Sequence, residues 1–426
     1  MCIRDRYKTG YENFNRFTHL ICPAILLLFL AVGVCISPHI AFWMAIALLA
    51  TKFSDVKLFR NLLSIIAILM IIFTVTSREI GISASDDLTG IYMTIVASQK
   101  EGYGIFGTWM GVEIGYGAYM HFLLQFIPDL KPRIVLLFSV ILSTSLYLIW
   151  ILHFLLPKIP SKHKGLILAI SLSFLQVGFL SQFLRQEIAT PLMLMAIFLW
   201  EDNSKKKAIF LLLLSITFHT SSLFIFVFYL MFSRGRTLYI LIGAMTFMIM
   251  VSILTFKPSI LISLFDALHL SFFGSKLVYY ETAAKNSIVD AVKNGKFFYI
   301  ILLLVLVRWN LIKSNSQVIG DNDWLFKMAK FCFWGSVYTI PLLLLPNASR
   351  FFLVIPGFLF PLCIYGAFKK QIGYVHLLLI FFILFSLLVP GRLNGGIAED
   401  FNIWMYYPWY SDQLFYYLSW INNYAT

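Results

Sequence analysis

Apolar segments separated by short polar clusters recur along the whole 426-residue chain. Most are about as long as a helix that crosses a bilayer core, for which roughly 20 apolar residues suffice. The segments are continuously apolar, whereas the strands of a membrane barrel alternate between apolar and polar positions. Because lipid offers no partner to a backbone N–H or C=O group, such segments must be helical. The pattern therefore predicts an all-α, polytopic transmembrane bundle that forms one domain over residues 1–426.

Thirteen segments are predicted spans, and since several are short the bundle is expected to have 12 to 13 helices. A further apolar segment, 111–127, conflicts with this topology if it is a full span, because a span there would move Lys158, Lys162 and Lys164 to the outer side. We predict that 111–127 is a re-entrant helix or lies on the membrane surface. The predicted spans are 20–37, 39–51, 61–77, 133–156, 165–183, 187–200, 207–219, 220–233, 237–256, 297–313, 325–345, 350–367 and 373–390.

Composition excludes an ordinary soluble domain, because 60% of the residues are apolar and 12% are charged, against roughly 25% charged residues in soluble domains. With a cytoplasmic N-terminus, 21 of the 33 basic and 7 of the 20 acidic residues fall on the cytoplasmic side, as the positive-inside rule expects. The net charge of +13 then reports orientation rather than nucleic-acid binding, and the C-terminus lies outside. No cleavage site follows the first apolar segment, which is predicted to remain as an anchor.

Three outer regions are long enough to have structure of their own. They are the loops 78–132 and 257–296 and the C-terminal tail 391–426, which is rich in Trp and Tyr. Aromatic side chains at this density suit the membrane interface, where ring and polar tip meet different solvents, and they also suit stacking on sugar rings. Both interpretations remain open.

Polar and ionisable side chains at the predicted span ends are the candidate functional residues, because a charge at membrane depth costs about 3 kcal/mol on insertion scales. An arginine near a span end can also snorkel to lipid head groups, a membrane histidine can be a hydrogen-bonding spacer, and a loop aspartate can simply meet water. In chain order the candidates are Arg78, Asp86, Asp87, Tyr92, Glu113, Tyr116, Arg185, Gln186, Glu187, His219 and Arg350.

His219 lies in the middle of the apolar segment 207–233. One straight helix would place it at mid-membrane, whereas two short helices would place it at their outer turn. The basic clusters at 205–207 and 234–236 favour two helices. On that interpretation three arginines and one histidine share the outer face.

The order of these motifs resembles the EpsG-like branch of the Wzy polysaccharide polymerases over roughly residues 60–410. The chain departs from the family pattern in two places: the Gly-Thr-Asp element is loosened to Gly-Ile-Ser-Ala-Ser-Asp-Asp, and Ile114 stands where proline is usual. The matching elements are Arg78 with Gly81, Asp86 or Asp87, and Tyr92; Glu113 with Gly115 and Tyr116; Arg185 with Gln186 and Ala189; Phe218 with His219 and Ser221; and Arg350 with Phe351 and Phe352.

The resemblance implies a GT-C-like helical architecture and a membrane glycosyltransferase at the outer face of the bacterial cytoplasmic (inner) membrane. Such enzymes join oligosaccharide repeat units carried on undecaprenyl diphosphate into O-antigen, capsule or exopolysaccharide. The expected partners are the lipid-linked oligosaccharide and the bilayer, with a chain-length regulator and a flippase of the same pathway as further candidates. No His, Cys and Asp cluster has metal-ligand spacing, so we predict a metal-independent enzyme without a cofactor.

Glycosyl transfer from a lipid diphosphate needs cations for the leaving group, and the arginine fork matches phosphate oxygens. We predict that Arg185 and Arg350 hold the diphosphate, with Arg78 and Gln186 assisting. His219 is slightly preferred as general base over the acids Asp86, Asp87, Glu113 and Glu187, because desolvation would keep it neutral. Tyr92 and Tyr116 are predicted to contact sugar. A glycan ligase, a membrane acyltransferase and a lipid or polysaccharide transporter remain alternatives.

Overall fold

The computed structural model describes residues 27–81, 86–105, 113–175, 177–267, 296–318, 324–343 and 360–388. Within these ranges the regular elements are helices and no strand occurs. The all-α prediction is therefore confirmed for this part of the chain. Arg350, most of the loop 257–296 and the tail 391–426 lie outside the described residues.

The helices follow one another with short connections. A π-helical turn at Leu88–Tyr92 leads directly into the helix Met93–Lys100, and another at Trp150–Leu155 extends the helix Pro132–Ile149. The helices are α1 (Leu27–Ile36), α2 (Pro38–Leu49), α3 (Lys57–Thr76), α4 (Met93–Lys100), α5 (Ile114–Phe126), α6 (Pro132–Ile149), α7 (Lys164–Ser173), α8 (Val177–Gln182), α9 (Leu184–Glu201), α10 (Lys205–Phe218), α11 (Ser221–Arg234), α12 (Thr237–Phe256), α13 (Pro258–Ala267), α14 (Lys296–Val318), α15 (Trp324–Leu342), α16 (360–368) and α17 (Ile372–Leu388).

Local sequence accounts for several helix boundaries. Ser37 caps α2 by accepting a hydrogen bond from the His39 N–H at 3.2 Å, and Pro38 occupies the first turn, where its missing N–H has no consequence. The segment 207–233 forms two helices, as its flanking basic clusters predict: α10 ends at Phe218, and His219 has an extended backbone. The predicted span 165–183 is divided between α7 and α8, and 111–127 contains the 13-residue α5.

Helix length and composition support two of the predicted spans directly. Among the described residues, Lys57–Thr76 and Pro132–Lys158 are long and apolar enough to cross a membrane. Five more helices have apolar stretches of 10–17 residues among the described residues, short of the roughly 20 that a perpendicular span needs. Helix α12 presents Leu238, Met245 and Ile249 at its surface, each at least 60% exposed.

Helix α9 is central to the packing, since every residue from Gln186 to Phe198 is buried. It runs antiparallel to α10, and the Ser215 hydroxyl of α10 donates to the Ala189 carbonyl at 2.7 Å. The Trp150 ring at the end of α6 meets the Phe198 ring edge-on at 5.8 Å. Helix α9 thus has little surface left for solvent or lipid over most of its length.

The charged residues gather at two opposite ends of this helix group. What we call the site end contains the end of α3 and the starts of α5, α6, α9 and α11, and Arg133 of α6 donates to the Thr76 carbonyl there. At the far end, Lys158 pairs with Asp202 at 2.6 Å. There Glu201 also bridges Arg234 at 2.8 Å and Lys327 at 2.6 Å.

The close approach of α7 to the α2–α3 connection gives a stability prediction. A Cβ atom at Gly165 would lie 2.6 Å from the Leu49 carbonyl oxygen and would also overlap Ser54. Because backbone must move to make room, Gly165→Ala is expected to lower the free energy of unfolding by about 1–3 kcal/mol. Thermal unfolding of the detergent-purified protein measures this change.

Gly373 provides the matched control, because it is also the second residue of its helix and has no atom within 4 Å of a Cβ position. Gly373→Ala should leave the unfolding temperature unchanged. Equal effects of the two substitutions would contradict the close packing at Gly165.

Candidate functional site

Arg78 and Asp86 form a closed ion pair at the site end. The two terminal guanidinium nitrogens of Arg78 donate to the two carboxylate oxygens of Asp86 at 3.0 and 2.9 Å, and both side chains are fully buried. Asp86 also accepts from the Leu88 N–H at 3.0 Å, and Arg78 donates to the Glu79 carbonyl at 3.2 Å. This pair attaches the π-helical turn to the end of α3, and each partner neutralises the other.

A second arginine–carboxylate pair joins three parts of the chain. The Glu113 carboxylate, just before α5, accepts a hydrogen bond from Arg185 at the start of α9. Its other oxygen accepts from the Thr220 backbone N–H at 2.9 Å and from the Thr220 hydroxyl at 2.8 Å. His219 Nδ1 lies 3.9 Å from that same oxygen. We call Glu113, Arg185, His219 and Thr220 the carboxylate cluster.

The charge state of Glu113 follows from its neighbours. Burial acts to raise the pKa of this carboxyl, but the charge of Arg185 and the two Thr220 hydrogen bonds together hold its pKa below the usual range. Glu113 is therefore ionised at neutral pH. A carboxylate stabilised in this way is a poor proton acceptor.

The hydrogen bonds of His219 indicate its tautomer. The Ser221 backbone N–H donates to His219 Nδ1 at 3.2 Å, and the Ser221 hydroxyl lies 2.7 Å from the same nitrogen. Because a backbone N–H only donates, Nδ1 must carry the lone pair, and the proton of the neutral ring is then on Nε2. In this arrangement Nε2 is a hydrogen-bond donor rather than a base.

Tyr92 links the two pairs. The Arg185 guanidinium carbon lies 5.9 Å from the centre of the Tyr92 ring, a cation–π distance. The Tyr92 hydroxyl donates to the Gln182 carbonyl at 3.2 Å, and the Asp87 N–H donates to the Gln182 side-chain oxygen at 3.2 Å. Gln182 thereby connects Asp87, beside the Arg78–Asp86 pair, to the segment that carries Arg185.

Gln182 was not among the candidates predicted from the sequence. It lies three residues before Arg185, and its polar type within an apolar run is the available signal in the sequence. It is 5% exposed, and its side-chain nitrogen has no hydrogen-bond partner among the described residues. Thr220 is a second residue outside the predicted set, and its backbone N–H and its hydroxyl both contact Glu113.

The two predicted sugar-binding tyrosines are enclosed by protein. Their ring centres are 4.9 Å apart, and the Tyr116 hydroxyl hydrogen-bonds Ser139 at 2.9 Å. Tyr92 is 2% exposed and Tyr116 is fully buried. Neither ring has a face open to a sugar in this structure, and both support the packing behind Arg185.

Glu187 and Gln186 are buried in the packing of α9. Glu187 is two residues beyond Arg185, which places it on the other side of the helix. The structure thus brings together Arg185, Glu113, His219 and Tyr92, places Arg78, Asp86 and Asp87 beside them, and separates Glu187. Arg350 lies outside the described residues.

In the part of the chain that is described, no group of three or more His, Cys, Asp and Glu side chains could hold a metal ion.

Comparison with known protein families decides the classification. The EpsG family matches residues 61–393, more than three quarters of the chain, including every predicted site residue. The chain belongs to the EpsG family. This membership confirms the resemblance derived from the motifs and indicates a membrane-associated, glycosyltransferase-like polymerase of polysaccharide biosynthesis. No curated protein and no solved structure matches the chain.

The buried Arg78–Asp86 pair gives a second stability prediction. Asp86→Asn would leave a fully buried guanidinium without its counter-charge, which typically costs 3–5 kcal/mol. We expect a large drop in unfolding temperature, measured by thermal unfolding in detergent. Asp87→Asn is the control, because Asp87 is only half-buried and should tolerate the change. Equal stability of the two variants would contradict a structural role for the pair.

Proposed function

We propose that this EpsG family member polymerises oligosaccharide repeat units carried on undecaprenyl diphosphate, at the outer face of the bacterial cytoplasmic membrane and without a metal ion. Family membership supplies the general class, a polysaccharide polymerase. The observation that carries the finer proposal is the position of Arg185, whose guanidinium lies beside the Thr220 N–H, the Thr220 hydroxyl and His219 at one end of the helix group.

Those groups suit a departing diphosphate. In the proposed reaction a hydroxyl of the acceptor sugar attacks the anomeric carbon of the donor, a new glycosidic bond forms, and the bond to the diphosphate breaks. The electron pair of the broken bond leaves with the diphosphate. Arg185 offers a fixed planar fork to phosphate oxygens, and a cation already in place where water is scarce stabilises the developing charge strongly. Arg350 remains a proposed second arginine.

The acceptor hydroxyl must also lose a proton, and the geometry favours Asp87 as the base. Asp86, Glu113 and Glu187 are buried, whereas Asp87 is half-buried and lies at the site end. The sequence slightly favours His219, but Nδ1 of that ring already accepts from Ser221. We therefore propose Asp87 as base and His219 as a donor to phosphate or sugar oxygens.

Asp87 is half-buried and lies near the Tyr92 phenol. Burial raises the pKa of Tyr92, and Asp87 adds to that rise while Arg185 opposes it. The carboxylate is thus close enough to act electrostatically on the ring that supports Arg185. A base next to the diphosphate-binding cation is the arrangement that transfer between two bound sugars requires.

The proposed orientation places the site end outside and the far end in the cytoplasm. Lys158, Arg234 and Lys327 meet at the far end, and α10 begins there with Lys205, whose ammonium lies over Trp200. Concentration of basic residues at one end of a helix group is the pattern that the positive-inside rule describes. This distribution supports the proposed topology of many spans with a cytoplasmic N-terminus.

A glycan ligase is the nearest alternative, because it would use the same donor and the same cationic site. The product distinguishes the two. Purified protein given one lipid-linked repeat unit would produce a ladder of lengths as a polymerase but would move the glycan only once as a ligase. A transporter would leave the glycan covalently unchanged.

Arg185 should be essential for polymer formation. We expect Arg185→Ala to abolish the polymer ladder, because the leaving diphosphate would lose its principal cation, while protein abundance stays near that of the unmodified chain. The matched control is Arg234→Ala, which removes an arginine that is paired with a glutamate at the far end and should leave the ladder intact. A full-length ladder from Arg185→Ala would refute the assigned role.

Asp87→Asn and His219→Gln should differ in how far they lower the rate of polymerisation. Asp87→Asn is expected to lower the rate by at least about 100-fold at every pH, the typical contribution of a positioned base. His219→Gln keeps a hydrogen-bond donor and should retain more activity. Initial rates from purified protein at pH 5 to 9 test this. The assignment fails if Asp87→Asn is active and His219→Gln is not.

A further inference from the structure

We propose that the Glu113 carboxylate occupies the position that one phosphate group of the lipid diphosphate takes, so that substrate binding displaces Glu113 from Arg185 and Thr220. The proposal rests on the proposed function, since it assumes that a diphosphate binds at Arg185. It adds a competing anion supplied by the chain itself.

The groups that hold Glu113 are those that bind phosphate in proteins. Arg185 supplies a planar guanidinium, and Thr220 supplies a backbone N–H and a hydroxyl. Thr220 is the N-cap residue of the 14-residue α11, where unpaired N–H groups and the helix dipole favour an anion. Three donors from two separate elements therefore converge on one carboxylate, and a phosphate oxygen could replace each carboxylate oxygen.

Access distinguishes this pair from the other arginine–carboxylate pair at the site end. The side chains of Arg78 and Asp86 are both 0% exposed. In the carboxylate cluster, Arg185 is 16% and His219 is 24% exposed. A substrate phosphate arriving from outside can reach Arg185 but cannot reach Arg78 without unpacking the protein. Arg185 is therefore the cation whose partner can be exchanged.

The donors are also held in place by contacts that do not involve Glu113. The Tyr92 ring lies against the Arg185 guanidinium. The turn that carries Thr220 is fixed by the Ser222 N–H, which donates to the His219 carbonyl at 3.1 Å, and by the Ser215 hydroxyl, which lies 2.7 Å from the Ser222 hydroxyl. Since this framework does not depend on Glu113, the anion site should persist after the carboxylate has moved away.

Exchange of this kind has a measurable consequence. When an internal anion occupies a site most of the time, an external anion binds more weakly. Its apparent affinity is the intrinsic affinity multiplied by the fraction of time that the site is open. Removing the negative charge of Glu113 while keeping its size should therefore strengthen diphosphate binding. If Glu113 serves only to orient Arg185, the same substitution should weaken binding.

The test is calorimetric titration of inorganic pyrophosphate into the full-length protein purified in detergent. We expect Glu113→Gln to bind pyrophosphate about tenfold more tightly than the unmodified chain, in line with typical displacement of a competing internal partner. Arg185→Ala should bind it at least about tenfold more weakly, as expected when one charged partner is lost. Unchanged or weaker binding by Glu113→Gln would overturn the proposal.

Two further variants keep the test decisive. Glu201→Gln is the matched control, because Glu201 also bridges two cations but at the far end, and pyrophosphate binding should not change. Glu113→Asp shortens the side chain, and it should also bind pyrophosphate more tightly. If Glu113→Gln fails to give folded protein, as judged by thermal unfolding, weaker or unchanged binding by Glu113→Asp overturns the proposal instead.

The binding assay separates this inference from the proposed function. One outcome is that Glu113→Gln binds pyrophosphate more tightly while the unmodified protein makes no polymer from the lipid-linked repeat unit. That outcome would support the exchange and refute the polymerase assignment. Polymer formation combined with weaker pyrophosphate binding by Glu113→Gln would leave the polymerase assignment intact and refute the exchange.

Discussion

The ion pair between Glu113 and Arg185 is the interaction on which the electrostatics of the candidate site depend. It joins the start of α5 to the start of α9, and Glu113 also contacts Thr220 in the turn between α10 and α11. These elements come from widely separated parts of the sequence, and Gly115 of α5 also packs closely against Thr217, just before that turn. Largely buried charges require partners, so the pair sets the electrostatics between these helix ends.

The two arginine–carboxylate pairs at the site end have similar chemistry but different surroundings. The Arg78–Asp86 pair is sealed, and its hydrogen bonds stabilise the turn that follows α3. The Glu113–Arg185 pair has partial access to solvent, and the Tyr92 ring and the Thr220 turn support its cation. A buried pair of the first kind contributes specificity to the fold, whereas a reachable pair of the second kind can exchange its anion. Access therefore decides which arginine is available to a substrate.

The arrangement of the helices accounts for the separation of charges. Because α9, α10 and α11 alternate in direction, each turn on one side carries the candidate functional residues and each turn on the other carries the basic clusters. The same alternation in a membrane would satisfy the positive-inside rule and would place a diphosphate site on the outer side. One simple topological fact thus connects the charge distribution along the chain to the proposed location of the reaction.

The sequence by itself determined the helical class, the family and most of the residues that meet at the site end. Apolar continuity excludes strands, and the order of short polar motifs survives as a family signature. It also indicated that 207–233 turns at His219, because lysines and arginines at both ends of the segment favour the same side of a membrane. These features are local, or they depend only on composition and order.

Only the tertiary structure decided which charge pairs with which. Asp86 and Asp87 are adjacent and chemically identical, yet one is sealed against Arg78 while the other is half-buried beside Tyr92. Glu113 could not be paired with Arg185 from the sequence, since 72 residues separate them. The tautomer of His219 likewise depends on the Ser221 N–H that the turn presents. Protonation, access and partner choice depend on distances of a few ångströms between helices, and the order of residues along the chain does not specify those distances.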